Sequence, residues 1–153
     1  IKVVLDSSNV ALTAGLNAKP WLVKPNHREL EAWVGRSLNS IEEIVAAAQQ
    51  LKAQGIENVI VSMGAEGALW INREGIIKAQ PPKCKNVVST VGAGDSMVAG
   101  LIYGFAKGFS KAETLAFASA VSAFAVSQSN VGVSDPALLE PILNQVKITV
   151  IEG

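Results

Sequence analysis

The chain has 153 residues, of which 49% are hydrophobic and 17% are charged, a composition typical of a folded globular domain. Its 13 Lys and Arg residues balance its 13 Asp and Glu residues, so no strong field favours nucleic acid or a membrane surface as a partner. The sequence shows no signal peptide and no apolar run of about 20 residues that could cross a membrane, and the lone Cys84 excludes an internal disulfide. These observations predict a cytoplasmic protein.

Short apolar runs alternate with helical patterns along the chain, which predicts an α/β fold with a largely parallel sheet. We predict strands at residues 3–5, 21–24, 59–63, 68–72, 76–79 and 147–151. We predict helices at residues 10–16, 26–34, 40–54, 93–106 and 111–127, with a further helix beginning at Pro136 after an Asp135 N-cap. The chain enters its first strand directly after Ile1, from which we expect it to be part of a longer protein.

Polar residues at two helix starts predict capping. A Ser followed three residues later by Glu can form a capping box, in which each side chain accepts a hydrogen bond from the other residue's backbone N–H. This spacing occurs for Ser40 with Glu43 and for Ser110 with Glu113. Asp6 follows the first strand; its carboxylate could face a ligand cleft, although a cap of the next loop is the favoured interpretation.

The segment Gly92-Ala93-Gly94-Asp95 lies between a Pro-rich loop and an apolar helical pattern. Two glycines around an alanine allow a tight turn and leave the backbone N–H groups unshielded. The first N–H groups of a helix have no intrahelical partner and lie at the positive end of its dipole, so this start could bind a phosphate. Asp95 would then be a carboxylate beside that anion, able to accept a proton from an attacking hydroxyl. A plain loop-to-helix junction is the alternative, and the residues alone leave both open.

Lys24 precedes Pro25, and proline holds the residue before it in an extended conformation, so the second strand is expected to end there. Asn26 and Glu29 are three residues apart and would share one face of the helical turn that follows. Their spacing approximates a capping box, which is the favoured interpretation without further context. Mg²⁺ accepts oxygen ligands and retains several waters, so capping and metal binding are compatible here.

A glycine loop follows the apolar strand at residues 59–61. It consists of Ser62, Met63, Gly64, Ala65, Glu66 and Gly67. Ligands of open α/β sheets bind beyond the carboxyl ends of the strands, which suits a nucleotide at this place. The loop lacks the Gly-Lys-Ser/Thr of a Walker motif, and a simple turn into the hairpin at residues 68–79 is the alternative.

Three of these segments resemble motifs of the ribokinase (PfkB) family of carbohydrate kinases. Thr90-Val91-Gly92-Ala93-Gly94-Asp95 is similar to the family's second signature, and Ser96-Met97-Val98-Ala99-Gly100 is similar to its phosphosugar-kinase branch. Residues 24–29 are similar to its Lys-Pro-Asn-x-x-Glu motif, and residues 62–67 to its Ser/Thr-x-Gly-x-x-Gly loop. The resemblance implies a ribokinase-like, doubly wound and mostly parallel α/β fold. Residues 1–153 would be its C-terminal, ATP-binding and catalytic part, without the lid-bearing N-terminal part.

The resemblance also implies a role for individual residues. Asp95 would be the catalytic base, and Gly92, Ala93 and Gly94 would form the anion hole for the transferred phosphoryl group. Asn26 and Glu29 would organise Mg²⁺ and the phosphates. The implied ATP contacts are Lys24, Asn26, Ser62, Met63, Gly64, Ala65, Glu66, Gly67 and Gly94, with Ser119 on the adenine side. A monovalent cation could bind backbone near Ser89, Val91, Ala125 and Asn130, although the family often has Asp where this chain has Ser89.

The activity implied by the resemblance is ATP- and Mg²⁺-dependent phosphorylation of a sugar phosphate, with D-fructose 1-phosphate favoured as the acceptor and fructose 1,6-bisphosphate as the product. Tagatose 6-phosphate or fructose 6-phosphate as the acceptor, and a non-catalytic nucleotide-binding regulatory domain, remain open alternatives. We expect the isolated chain to be inactive, because most sugar contacts and the lid of the family fold lie outside it. A homodimer could form through that lid, and no nucleic acid or membrane partner is expected.

Overall fold

The computed structural model describes residues 1–129 and 132–153. Within these residues, six strands form one mixed sheet in the order β1-β2-β3-β4-β5-β6, with helices flanking it. The strands are β1 (Val4–Leu5), β2 (Leu22–Val23), β3 (Asn58–Ser62), β4 (Ala68–Asn72), β5 (Gly75–Gln80) and β6 (Lys147–Glu152). The helices are α1 (Asn9–Leu16), α2 (His27–Val34), α3 (Ile41–Ala53), α4 (Ala93–Lys107), α5 (Lys111–Val126) and α6 (Glu140–Leu143). The predicted α/β class is confirmed.

The first three strands pair in parallel. The register places Val4 beside Leu22, and Leu22 beside Asn58. Beyond the ends of β2 and β3, an isolated parallel bridge joins Asn26 to Ser62. The carboxyl ends of these strands therefore meet at one edge of the sheet.

The middle of the sheet contains the predicted hairpin and is not parallel. Only Arg73 and Glu74 separate β4 from β5, so these strands form the predicted hairpin. The connection from β3 to β4 is also too short for a parallel crossover, which needs a dozen or more residues. The sheet is consequently mixed: its parallel pairing lies in β1 to β3.

Helix starts follow the capping signals with one difference. At α5 the capping box is confirmed, since Ser110 Oγ accepts from Glu113 N at 3.2 Å and Glu113 Oε2 accepts from Ser110 N at 2.8 Å. At α3 Ser40 Oγ accepts from Glu43 N at 3.2 Å, but the Glu43 carboxylate accepts from Asn39 N at 2.6 Å. The predicted hydrogen bond from Ser40 N to the Glu43 carboxylate is therefore wrong, because that carboxylate accepts from the N–H of the preceding residue, Asn39, instead.

The last predicted helix begins as a short 3-10 turn. This turn spans Pro136–Leu139, and α6 follows it directly. Asp135 Oδ1 accepts a hydrogen bond from Ala137 N at 2.9 Å, which confirms Asp135 as the N-cap. None of the helices in the described part of the chain is long and apolar enough to cross a membrane.

The chain divides into two compact units. The first comprises Ile1–Met63, Leu69–Ile77 and Val150–Gly153, and the second comprises Gly64–Ala68 and Lys78–Thr149. The first unit has an extended apolar core. Of the α3 residues predicted at helical spacing, Ile44, Ala48 and Leu51 are buried in it, and Ile41 and Val45 pack against it partly buried; Ala47 is buried as well. In the second unit Val121, Phe124 and Leu139 form a smaller apolar cluster.

Small residues allow α4 and α5 of the second unit to pack closely. A Cβ added at Gly100 would lie 2.7 Å from the Cα of Ala118, and one added at Gly104 would lie 2.7 Å from Cγ2 of Thr114. Ser122 Oγ on α5 donates a hydrogen bond of 3.0 Å to the carbonyl of Ala93, the first residue of α4. Packing and this hydrogen bond together hold the start of α4 against α5.

Candidate functional site

Two of the predicted motifs meet at the carboxyl ends of β2 and β3, within the first unit. Ser62 N donates a hydrogen bond of 3.1 Å to the carbonyl of Pro25, and Asn26 pairs with Ser62 in the parallel bridge. Residues near 25 and residues near 62 are therefore neighbours although the chain separates them widely. This edge is where open α/β sheets bind their ligands.

Asn26 and Glu29 form a complete capping box at the start of α2. Asn26 Oδ1 accepts from Glu29 N, and Glu29 Oε2 accepts from Asn26 N, both at 2.8 Å. The capping interpretation is confirmed. Within the described residues Glu29 Oε1 accepts no hydrogen bond, and Asn26 is exposed, so each residue still offers an oxygen lone pair.

These donors suit an ion that keeps most of its water. Across residues 1–129 and 132–153, no three His, Cys, Asp or Glu side chains cluster to form a closed metal cage. Mg²⁺ is commonly held by one or two carboxylate or amide oxygens together with waters and substrate phosphates. The amide and carboxylate oxygens of Asn26 and Glu29 fit that mode of binding.

Lys24 lies at the same edge, and its side chain is buried. The residue is only 3% exposed, and its Nζ lies 3.5 Å from Oδ1 of Asp6, which follows β1. The loop cap favoured for Asp6 is wrong, since its carboxylate pairs with Lys24 and no described backbone N–H donates to it. Sequence reasoning missed this ion pair; the only signal for it was an acidic residue after one strand and a basic residue after the next.

The glycine loop continues from β3. Ser62 and Met63 are half-buried at the end of the first unit, and Gly64–Glu66 form an exposed 3-10 turn in the second. In the second unit Gly67 has a φ of 91°, and a Cβ there would overlap the carbonyl oxygen of Ala79, so only glycine fits. Gln80 Nε2 donates a hydrogen bond of 2.8 Å to Ala65 O, which fixes the middle of the loop.

The turn before α4 requires glycine for a different reason. Gly92 is the N-cap residue of α4 and has φ 81° and ψ −2°, a left-handed conformation that other residues adopt at a cost of about 1–2 kcal/mol. No described atom lies within 4 Å of the position that a Cβ would occupy. The turn is therefore open on the side where a side chain would stand.

Backbone N–H groups are unpaired at this helix start. Ser96 N donates to Gly92 O at 2.9 Å, and Ala93 N donates to Thr90 O in a long hydrogen bond of 3.4 Å. Among the described residues, the N–H groups of Gly94 and Asp95 have no acceptor. Unpaired amides at the positive end of a helix form the anion-binding geometry that the sequence predicts.

Asp95 lies in the first turn of α4 and is exposed. In the part of the chain that the structure describes, neither a cation nor an N–H group contacts its carboxylate. The carboxylate is consequently accessible and able to accept a proton. A carboxylate in the first turn also interacts favourably with the helix dipole, so this position is compatible with a role in the fold as well.

Ser119, predicted on the adenine side, lies on the buried face of α5. It is 2% exposed, and its Oγ has no hydrogen-bond partner among the described residues. A buried hydroxyl without a partner costs about 1–3 kcal/mol. The adenine contact stays a prediction.

The positions predicted for a monovalent cation fall at the end of α5. Ser89 N donates to the carbonyl of Val126 at 3.3 Å, which places Ser89 beside the last turn of α5, where Ala125 also lies. Val91 N donates to Ser89 Oγ at 3.1 Å. The fourth predicted position, Asn130, lies outside the described residues.

Each unit of this α/β chain carries groups whose chemistry suits phosphate or a phosphate-bound ion. These are the oxygen donors at the carboxyl ends of β2 and β3 in the first unit, and the unpaired amides at the start of α4 in the second. The family model described as pfkB family carbohydrate kinase matches residues 1–138. The chain therefore belongs to the pfkB family of carbohydrate kinases.

Individual relatives agree with this assignment. The chain is 81% identical over 153 residues to 1-phosphofructokinase of Haemophilus influenzae, covering 100% of this chain and 49% of the relative. It is 54% identical over 146 residues to 1-phosphofructokinase of Escherichia coli K12, covering 95% of this chain and 46% of the relative. The crystal structure of Escherichia coli phosphofructokinase-2 in complex with substrates and products superposes with a TM-score of 0.84 at 34% identity, covering 94% of this chain and 47% of that one. The chain thus spans about half the length of the curated relatives it matches.

Proposed function

We propose that this chain is the ATP-binding and catalytic part of a sugar-phosphate kinase that converts D-fructose 1-phosphate to fructose 1,6-bisphosphate. The observation that carries the proposal is the 81% identity to 1-phosphofructokinase along the whole chain. Because the chain spans about half of that relative, the activity is proposed for the intact protein that carries it. The site residues below are assigned on this basis.

The start of α4 is assigned to the transferred phosphoryl group. Amides that are unpaired before the ligand arrives need no reorganisation to bind the negative charge that develops in the transition state. Such preorganised stabilisation, together with positioning, is the main source of catalysis in phosphoryl transfer. The N–H groups of Gly94 and Asp95 meet this condition. Gly92 provides the open left-handed turn, and Ala93 begins the helix.

Asp95 is assigned as the catalytic base. In the proposed step the acceptor hydroxyl oxygen forms a bond to the γ-phosphorus of ATP while the bond between that phosphorus and the bridging oxygen of ADP breaks. The hydroxyl proton passes to the Asp95 carboxylate. The exposed carboxylate, without a partner among the described residues, supports this role.

The sheet edge is assigned to ATP phosphates and Mg²⁺. Asn26 and Glu29 would hold the ion through oxygens and water, and a bound Mg²⁺ neutralises phosphate charge. Lys24 supplies a positive charge at the same edge. The remaining ATP contacts are proposed for the glycine loop and for Ser119; the loop residues are Ser62, Met63, Gly64, Ala65, Glu66 and Gly67.

A monovalent cation and an oligomer are also proposed for the intact protein. One crystal structure of Escherichia coli phosphofructokinase-2 is described in complex with potassium, and another as a tetrameric inhibited form. By similarity, we extend cation binding to the backbone near Ser89, Val91 and Ala125. Self-association through the lid of the family fold is proposed in the same way.

Fructose 6-phosphate is the second candidate acceptor. It is favoured by the similarity to Escherichia coli phosphofructokinase-2, which is described in complex with that sugar phosphate and is 33% identical over 94% of this chain. The higher identity to 1-phosphofructokinase places D-fructose 1-phosphate first.

Substrate profiling of the intact protein tests the proposal. The protein would be incubated with MgATP and each of D-fructose 1-phosphate, fructose 6-phosphate and tagatose 6-phosphate, and ADP release would be followed in a coupled assay. We expect the highest kcat/KM with D-fructose 1-phosphate. Higher values with either other sugar phosphate would reassign the acceptor. If the protein binds ATP but forms no ADP with any of the three sugar phosphates, a regulatory nucleotide-binding domain would be indicated instead.

A further inference from the structure

A buried ammonium group lies at the ligand edge of the sheet with one carboxylate beside it. The side chain of Lys24 is 4% exposed, and Asp6 Oδ1 lies 3.5 Å from its Nζ. Among the described residues, Asp6 is the only acidic partner within ion-pair distance of Lys24. Moving an ammonium group out of water is costly unless a partner of opposite charge compensates it. The Asp6 carboxylate therefore stabilises the Lys24 ammonium group at the position that this structure shows.

The sheet, rather than a loop, places the two groups together. Asp6 directly follows β1 and Lys24 directly follows β2, which pair in parallel with Leu5 beside Val23. Lys24 N also donates a hydrogen bond of 3.1 Å to Leu5 O, so backbone pairing continues up to the ion pair. Asn26 and Ser62 lie at the same edge of the sheet as this ion pair.

The two side chains differ in exposure. The Asp6 side chain remains 29% exposed, whereas that of Lys24 is almost fully covered. Replacing a buried ion pair with apolar residues of similar volume is often neutral for stability, so a gain in stability does not by itself account for this pair. A partly exposed carboxylate that holds a covered ammonium at the ligand edge of the sheet is suited to directing that charge at an anion.

We propose that Asp6 is a positioning residue that holds the Lys24 ammonium for contact with the phosphates of ATP. This inference rests on the proposed function, because it takes ATP as the anion. Asp6 is not among the site residues that the resemblance to the family implies. Asp6 acts in this scheme only through Lys24.

A double-mutant cycle in the intact protein tests the inference. Asp6→Asn, Lys24→Met and the double variant would be compared with the parent protein by steady-state kinetics with MgATP and by calorimetric ATP binding. We expect Asp6→Asn to raise the KM for ATP and the dissociation constant by roughly tenfold, with a smaller effect on kcat. The double variant should be no weaker than Lys24→Met, and Asp6→Glu should recover part of the loss.

Glu57→Gln is the matched control. Glu57 is an exposed carboxylate that accepts a hydrogen bond of 3.1 Å from Trp21 Nε1, before the amino ends of β2 and β3. This variant should keep the parental KM for ATP. Thermal unfolding of every variant gives the folded fraction, by which each rate is corrected.

Two results would overturn the inference. One is an Asp6→Asn variant with the parental KM and dissociation constant for ATP. The other is a double variant in which the two losses multiply, since Asp6 would then act independently of Lys24. If the parent protein binds ATP but phosphorylates no sugar phosphate, the proposed function fails, while the calorimetric cycle still decides the role of Asp6.

Discussion

Asp95 and Asp135 show how the surroundings of a carboxylate indicate its role. Asp135 accepts a hydrogen bond from Ala137 N and begins a helical turn. Asp95 lies within the first turn of α4, beside unpaired amides, and its carboxylate has no partner among the residues the structure describes. The first arrangement stabilises the fold, and the second leaves a proton acceptor available.

Replacing Asp95 with Asn in the intact protein should therefore abolish most turnover. Asn removes the proton acceptor but keeps the size of the side chain, and general-base catalysis contributes about 10²- to 10⁴-fold. We expect kcat to fall within that range while ATP affinity, measured by calorimetry, stays close to the parental value. Asp135→Asn is the control and should be fully active, because Asn is an equally good N-cap. Near-parental turnover of Asp95→Asn would exclude Asp95 as the base.

Glu29 allows the capping and metal roles to be separated. Glu29→Gln retains a side chain that can complete the capping box, but its neutral amide is a poorer ligand for Mg²⁺. We expect a higher Mg²⁺ concentration for half-maximal activity and little change in thermal stability. Glu113→Gln changes the same position of the capping box at α5, where Ser110 N is 2.8 Å from Glu113 Oε2, and should leave the Mg²⁺ titration unaltered. An unaltered titration in Glu29→Gln as well would restrict Glu29 to capping.

At the scale of elements, the α4–α5 pair depends on the absence of side chains at two helical positions. Gly100 faces the backbone of Ala118, and Gly104 faces Thr114. Glycine normally weakens a helix by about 1 kcal/mol relative to alanine. Its presence in the interior of α4 is explained by the close approach of α5.

Gly100→Ala should consequently destabilise the protein although alanine favours helix. The added Cβ would lie 2.7 Å from a backbone atom of Ala118, which cannot move aside like a side chain, and overpacking costs about 1–3 kcal/mol. We expect a lower denaturant midpoint in urea unfolding. Gly15→Ala in α1 is the control, since its Cβ would meet only the flexible end of the Leu5 side chain, at 2.7 Å. Equal stabilities of the two variants would contradict this account of the helix pair.

At the scale of the whole molecule, the chain spans about half of its curated relatives. It carries the helix start, the sheet edge and the glycine loop that the proposed function assigns to ATP and the base. The resemblance places most sugar contacts and the lid outside it. Closure of a lid excludes water and positions the acceptor in enzymes of this kind.

The 153-residue chain alone is therefore expected to form no ADP from MgATP in the presence of D-fructose 1-phosphate above the uncatalysed rate, whereas the intact protein is expected to form it. Circular dichroism before and after the assay would show whether the isolated chain is folded. Turnover by the folded chain comparable to that of the intact protein would show that these residues hold the acceptor without further segments.

Local signals in the sequence predicted most elements correctly. Ser110 with Glu113 predicted the start of α5, Asp135 before Pro136 predicted a helical turn, and the glycines before Asp95 predicted a helix start with unpaired amides. These features depend on residues within one helical turn of each other, so the sequence alone carries the information. The site roles themselves came from the resemblance to a family.

Only the tertiary structure decided which distant residues meet. The bridge between Asn26 and Ser62, the ion pair of Asp6 with Lys24 and the contact of Gly100 with Ala118 depend on strand register and helix packing. The apolar pattern of one strand does not identify its partner or its full register, because a slip of two residues leaves every side chain on the same face of the sheet. The sequence by itself therefore determined the elements and the start of α4. The parallel pairing of β1 to β3 determined which side chains share the sheet edge.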